Sequence, residues 1–150
     1  MKVIFLDFNG ILDTYENLDV IDEGNINRVK KLCDMTGSSV VFSSSGRFSV
    51  FGRGIMQQII DYGIDIIGVT PKINNRREEE IKAYLEEHPE IDNYCILDDD
   101  FDMPSMKEHL VKLPEQTKGS LGFTENYYQQ ALAILGLNKV IGEESKKYGR

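Results

Sequence analysis

The chain has 150 residues, 41% of them hydrophobic and 28% charged, with 17 Lys and Arg against 25 Asp and Glu for a formal charge of −8. That length suits one domain with a single core, and the composition excludes a disordered chain and a fibrous repeat. No apolar run reaches the roughly 18 residues of a membrane helix, and so acidic a chain is a poor non-specific binder of nucleic acid, whose phosphates need positive charge.

Met1 leads straight into the apolar run Val3-Ile4-Phe5-Leu6. No basic stretch, apolar core and cleavage site of a secretory leader are seen, so a cytoplasmic location is expected. Cys33 and Cys95 lie in apolar surroundings without metal-ligand spacing and are expected as reduced core thiols. Residues 2–6 read as a buried strand running into Asp7. Residues 21–35 show helical spacing through Ile26, Val29, Leu32 and Cys33, with Gly37 as the stop. A second strand over 39–42 runs into Ser43-Ser44-Ser45. Residues 49–62 read as a helix with Phe51, Ile55, Ile59 and Tyr62 on one side and Gly63 as its stop.

A third strand is expected over 64–69. A strongly charged helix follows over 75–88, with Ile81, Tyr84 and Leu85 as its apolar face. The fourth strand, 94–97, runs into Asp98-Asp99-Asp100, and a short fifth covers 109–113. Thr124 is placed to cap a last helix over 125–135, ended by Gly136. One domain over 1–141 is expected, followed by a polar tail over 142–150.

Strands alternating with helices argue an α/β fold, a parallel sheet with helices on both faces. Right-handed crossovers gather the C-terminal ends of the strands on one edge, where ligands bind near a switch point. Asp7 and Asn9, the three serines, and Asp98 to Asp100 would all meet on that edge. Carboxylates packed together repel unless a positive charge sits among them, and a hard divalent cation with oxygen ligands, Mg²⁺, is the natural answer.

The segment Asp7-Phe8-Asn9-Gly10-Ile11-Leu12 resembles the first motif, Asp-x-Asp-Gly-x-Leu, of the haloacid dehalogenase (HAD) superfamily of phosphatases. Three further stretches fall in the superfamily's order. Val40 to Ser44 is similar to its second motif, Arg77 fits the basic third, and Cys95-Ile96-Leu97-Asp98-Asp99 is similar to the acidic fourth. The stretches Ser43-Ser44-Ser45-Gly46-Arg47 and Gly122-Phe123-Thr124 resemble the small capless branch that includes the domain of Swiss-army-knife RNA repair proteins, though Gly46 stands where that branch usually has Trp. The resemblance implies a three-layer α/β/α Rossmann-like core with a five-stranded, mainly parallel sheet and no cap domain.

It also implies roles. Asp7 would attack phosphorus to give an aspartyl-phosphate. Its carboxylate, the Asn9 main-chain carbonyl and Asp98 or Asp99 would bind Mg²⁺. Ser44 or Ser43 would hydrogen-bond a phosphoryl oxygen, with Gly10, Ser45, Arg47 and Lys72 also near the substrate. Arg77 would neutralise the phosphoaspartate, with Lys72 and Arg76 as rivals. Asn9 stands where the superfamily's phosphatases usually carry an acid/base Asp, and an amide cannot exchange a proton at neutral pH. Such a loss typically costs about 10²–10⁴-fold in rate. The expectations are therefore a slow phosphatase, one in which Asp13 supplies the proton, or a Mg²⁺ and phosphate-binding module. No stretch is long enough to fold into a cap, so an open site is expected, suited to a bulky phosphorylated substrate such as a phosphoprotein or a nucleic-acid end.

Overall fold

A computed structural model of the chain describes residues 1–138; the expected tail from 142 lies outside the described residues. Five strands form one parallel sheet in the order β3-β2-β1-β4-β5. They are β1 Lys2–Leu6, β2 Ser38–Phe42, β3 Ile66–Val69, β4 Asn93–Asp98 and β5 Leu110–Lys112. Four helices accompany them: α1 Glu23–Thr36, α2 Val50–Asp61, α3 Arg77–Glu87 and α4 Glu125–Leu135. A 3₁₀ segment, Pro104–His109, joins β4 to β5 and takes the first residue of the expected fifth strand.

The period of two along each strand divides the core. Ile4 and Leu6 of β1 point to the face packed by Ile26, Val29 and Leu32 of α1, Ile55 and Ile59 of α2, and Ala131 of α4. Val3 and Phe5 point to the other face, against Ile81 and Tyr84 of α3 and Met103 and Met106. Both faces are covered, which is why the strands are near-continuous apolar runs. The chain steps from β1 outward to β2 and β3, then returns across the sheet to β4. Crossovers of one hand put α1 and α2 on one face and α3 on the other, and the reversal leaves a crevice beyond the C-terminal ends of β1 and β4.

Local chemistry sets the element ends. Asp22 caps α1 by accepting from the Asn25 amide at 3.0 Å, so the helix begins two residues later than its apolar spacing suggests. Ser49 caps α2 in the same way, from the Gly52 amide at 2.9 Å. Thr124 has the extended backbone of a cap residue but makes no capping hydrogen bond with its side chain. The third strand is shorter than expected because the Ile64 amide turns back to the Ile59 carbonyl at the end of α2. Among the described residues, no helix is long and apolar enough to cross a membrane.

Candidate active site

The crevice holds a cavity of about 400 Å³ lined by residues from the C-terminal ends of β1, β2, β4 and β5 and from α2 and α3. Asp7 lies at its floor, just past central β1, with its own carboxylate accepting from the Phe8 amide at 2.8 Å. The chain then turns through Gly10, at φ +83°, a left-handed conformation that disfavours side chains. A Cβ there would also run into the Asp99 carboxylate, so the glycine is what lets the first loop and the acidic loop close on each other. Asp98 ends β4, the strand paired with β1, and Asp99 follows it. The carboxylates of Asp7, Asp98 and Asp99 are all buried, with oxygens within 4.8 Å of one another.

Arg77 answers that negative charge. It opens α3, whose first turn packs against the strand ends, and its guanidinium is buried. It donates to Asp98, lies 3.5 Å from Asp7 Oδ2, and donates to Ser45 Oγ at 3.0 Å. The Phe101 ring covers its other side at 4.7 Å. Its two rivals, Lys72 and Arg76, are exposed and do not line the cavity.

One cation does not balance three carboxylates. Burial, then the charge of Asp98, pushes the Asp7 carboxyl up from 3.8 to about 7 despite Arg77. Burial, then Asp98 and Asp100, pushes Asp99 up to about 6. Asp98 is differently placed: besides Arg77, its Oδ1 accepts from the Asp100 and Phe101 amides at 2.9 and 3.2 Å. Asp7 and Asp99 line the cavity, and Asp98 lies behind them. A compact, oxygen-only, over-charged donor set of this kind fits a hard divalent cation, whose charge would offset the burial and repulsion that raise both carboxyls.

The serines separate. Ser44 and Ser45 line the cavity, whereas Ser43 is fully buried below it and its hydroxyl has no partner. Arg47 is not at the cavity. It is buried, donating to the carbonyls of Thr70 at 2.8 Å, Ser44 at 2.9 Å and Pro71 at 2.7 Å, and pairing with Glu80 at 3.1 Å. It fastens the loop after β2 to the end of β3 and the first turn of α3, and it does not line the cavity. Asp13 is likewise committed elsewhere. Its two oxygens accept from the Gly10 and Asp19 amides, Gln116 and Asn9, and it does not line the cavity.

Asn9 lines the cavity mouth, with its amide nitrogen donating to Asp13 and to Asp19, each at 2.8 Å. The apolar wall went unread in the sequence: Phe8, Phe42, Phe51 and Ile55 line one side. The helical period set Phe51 on the inner face with Ile55 and Ile59, yet it sits in the first turn of α2, over half exposed, facing the cavity. Glu115 also lines the cavity, from the loop after β5, and nothing in its sequence neighbourhood marks it.

Fold and site define the class: a three-layer Rossmann-like α/β domain with an acidic centre at its switch point. Residues 3–127 match the family described as the HAD domain in Swiss Army Knife RNA repair proteins, and the chain belongs to that family. It thereby falls in a superfamily of phosphatase-like hydrolases whose members generally use Mg²⁺. No curated protein and no solved structure matches the chain.

Proposed function

We propose that the domain is a Mg²⁺-dependent phosphomonoesterase that works through an aspartyl-phosphate on Asp7. The observation that carries this reading is the position of Asp7: buried at the cavity floor, with Arg77 3.5 Å away and Asp99 beside it. Asp7, Asp99 and the main-chain carbonyl of Asn9 would hold the ion, while Asp98 holds Arg77. When bound, Mg²⁺ supplies positive charge to the phosphoryl oxygens and keeps the Asp7 carboxylate deprotonated. Asp7 then adds to phosphorus as the ester oxygen departs. Arg77 balances charge on the phosphoryl group, and Ser44 and Ser45, which line the cavity, offer hydroxyl donors.

Among the described residues no inserted cap domain stands over the cavity, which suits a phosphate carried by something bulky. Hydrolysis of p-nitrophenyl phosphate by the purified protein, with and without chelator, tests the reading. Asp7→Ala and chelator are each expected to abolish turnover; Mg²⁺-independent turnover, or turnover that survives Asp7→Ala, overturns it. The commitment of the Asn9 amide to Asp13 and Asp19 favours a second reading, a module that binds Mg²⁺ and phosphate without turning over. Sustained release beyond one equivalent of product per protein excludes that reading.

A further inference from the structure

Resting on the phosphomonoesterase reading, we infer that the substrate is an aryl phosphate, a phosphomonoester of a phenolic oxygen whose ring lies on the Phe51 wall. Two independent observations lead there. One concerns the missing proton donor. Asn9 cannot protonate a leaving oxygen, and both donor interactions of its amide nitrogen are directed at Asp13 and Asp19. Asp13 is tied by four hydrogen bonds away from the cavity. Asp7 and Asp99 are the nucleophile and its neighbour, and the other two acids that line the cavity, Asp100 and Glu115, are exposed to solvent.

With no uncommitted buried acid beside it, the leaving group departs as its anion. For an alkyl ester that anion is an alkoxide, whose conjugate acid is about as weak as water, near 16. For a phenol the corresponding value is about 10. The difference amounts to about six powers of ten in leaving-group basicity, so phenolic esters are the class this site can cleave without an acid.

The other observation is the shape and charge of the cavity. Phe8 and Phe51 meet with ring centroids 6.1 Å apart at 57°, and Phe51 is 54% exposed. With Phe42 and Ile55 they give the cavity one apolar side. Gly46 is itself a lining residue and carries no side chain, so the cavity is open beside the Phe51 ring. Asp99, Asp100 and Glu115 also line the cavity, and the one basic lining residue among the described residues, Arg77, is already paired with Asp98. A leaving group bearing further phosphates would face those carboxylates, whereas a neutral aromatic ring meets only hydrocarbon.

The chemistry balances without another reactant. The Asp7 carboxylate forms the O–P bond as the P–O(aryl) bond breaks, and that electron pair leaves on the aryl oxide, which takes a proton from solvent. Water then adds to the acyl-phosphate. Its proton passes to solvent or phosphate, and Asp7 regains its carboxylate.

The test is calorimetric, on the full chain with Mg²⁺, using phenylphosphonate, methylphosphonate and adenosine 5′-monophosphate as non-reacting or slowly reacting probes. Phenylphosphonate is expected to bind roughly fivefold or more tightly than methylphosphonate, an advantage that Phe51→Ala reduces towards one and Phe51→Tyr retains. Phenyl phosphate should also be hydrolysed at least about 10²-fold faster than an alkyl phosphate. Equal binding of the two phosphonates, or equal hydrolysis of the two esters, overturns the inference while leaving a phosphomonoesterase. Tightest binding of the nucleotide overturns it in favour of a nucleic-acid end. No binding of any probe removes the phosphate site itself, and the inference with it.

Discussion

Asn9 is built into this chain rather than merely standing in for an aspartate. Its amide nitrogen lies 2.8 Å from carboxylate oxygens of both Asp13 and Asp19, so that nitrogen bridges two acids of one loop. Asp19 itself holds a left-handed backbone conformation, φ 64°, with its amide fixed on Asp13 at 2.9 Å. A carboxylate at position 9 would donate nothing and would bring a third negative charge to the pair. Asn9→Asp is therefore expected to destabilise the fold by about 0.5–1.5 kcal/mol, the net worth of a hydrogen bond whose partners stay solvated or otherwise bonded. Urea unfolding without metal measures it, and an unchanged midpoint would mean that the loop reorganises freely. Where the superfamily's acid/base Asp would serve catalysis, the amide here serves the loop that carries Gly10 to Asp99.

At the scale of elements, two buried arginines hold the strand ends together, and they do different things. Arg47 ties the β2 loop to β3 and to Glu80 of α3, away from the cavity. Arg77 ties α3 to Asp98 and faces Asp7. Each leaves a buried carboxylate unpaired when removed, so Arg47→Ala and Arg77→Ala should each cost about 3–5 kcal/mol of stability. Their effects on the site should part. Phosphonate affinity per folded molecule should survive Arg47→Ala and fall with Arg77→Ala, as calorimetry below the melting range would show; equal losses would place both in the site. This division also marks what the sequence discloses. Asp7 and the Asp98-Asp99 pair were legible because each stands at the end of an apolar run, where the topology concentrates polar chemistry, whereas Arg77, at the head of a charged helix, was legible only through the resemblance to the third motif. The last helix was legible to the residue, since Thr124 and Gly136 bound its periodic stretch. Arg47 was not legible, because its partners are three main-chain carbonyls and a glutamate 33 positions away, which no local spacing encodes. Phe51 was misplaced for a related reason. The helical period groups it with Ile55 and Ile59 but cannot say that the first turn of α2 overhangs the sheet and looks into the crevice.

For the whole molecule, the acidic centre makes stability depend on pH in a direction opposite to that of a salt-bridged carboxylate. The folded-state value of Asp7, about 7, lies above the 3.8 of an unperturbed aspartate, and Asp99 is raised in the same sense to about 6. Between those values the native state binds protons that the unfolded chain has released. Stability then falls as pH rises, because the slope follows the protons bound in the unfolded state minus those in the native state. The contribution is fully present below about pH 4 and is lost as pH passes through about 7. The net charge of −8 adds self-repulsion of the same sign at neutral pH. Melting curves recorded in chelator from about pH 5 to about pH 8 should therefore decline with pH for the wild type and more gently for Asp7→Asn, so that the variant gains on its parent as the solution becomes more basic. Mg²⁺ should raise the wild-type melting temperature most at the basic end, where the ion no longer competes with protons for the same oxygens. Parallel curves for the two proteins would place the excess protons elsewhere. Protection by Mg²⁺ that is greatest at the acid end would mean that the ion binds outside the Asp7–Asp99 cluster.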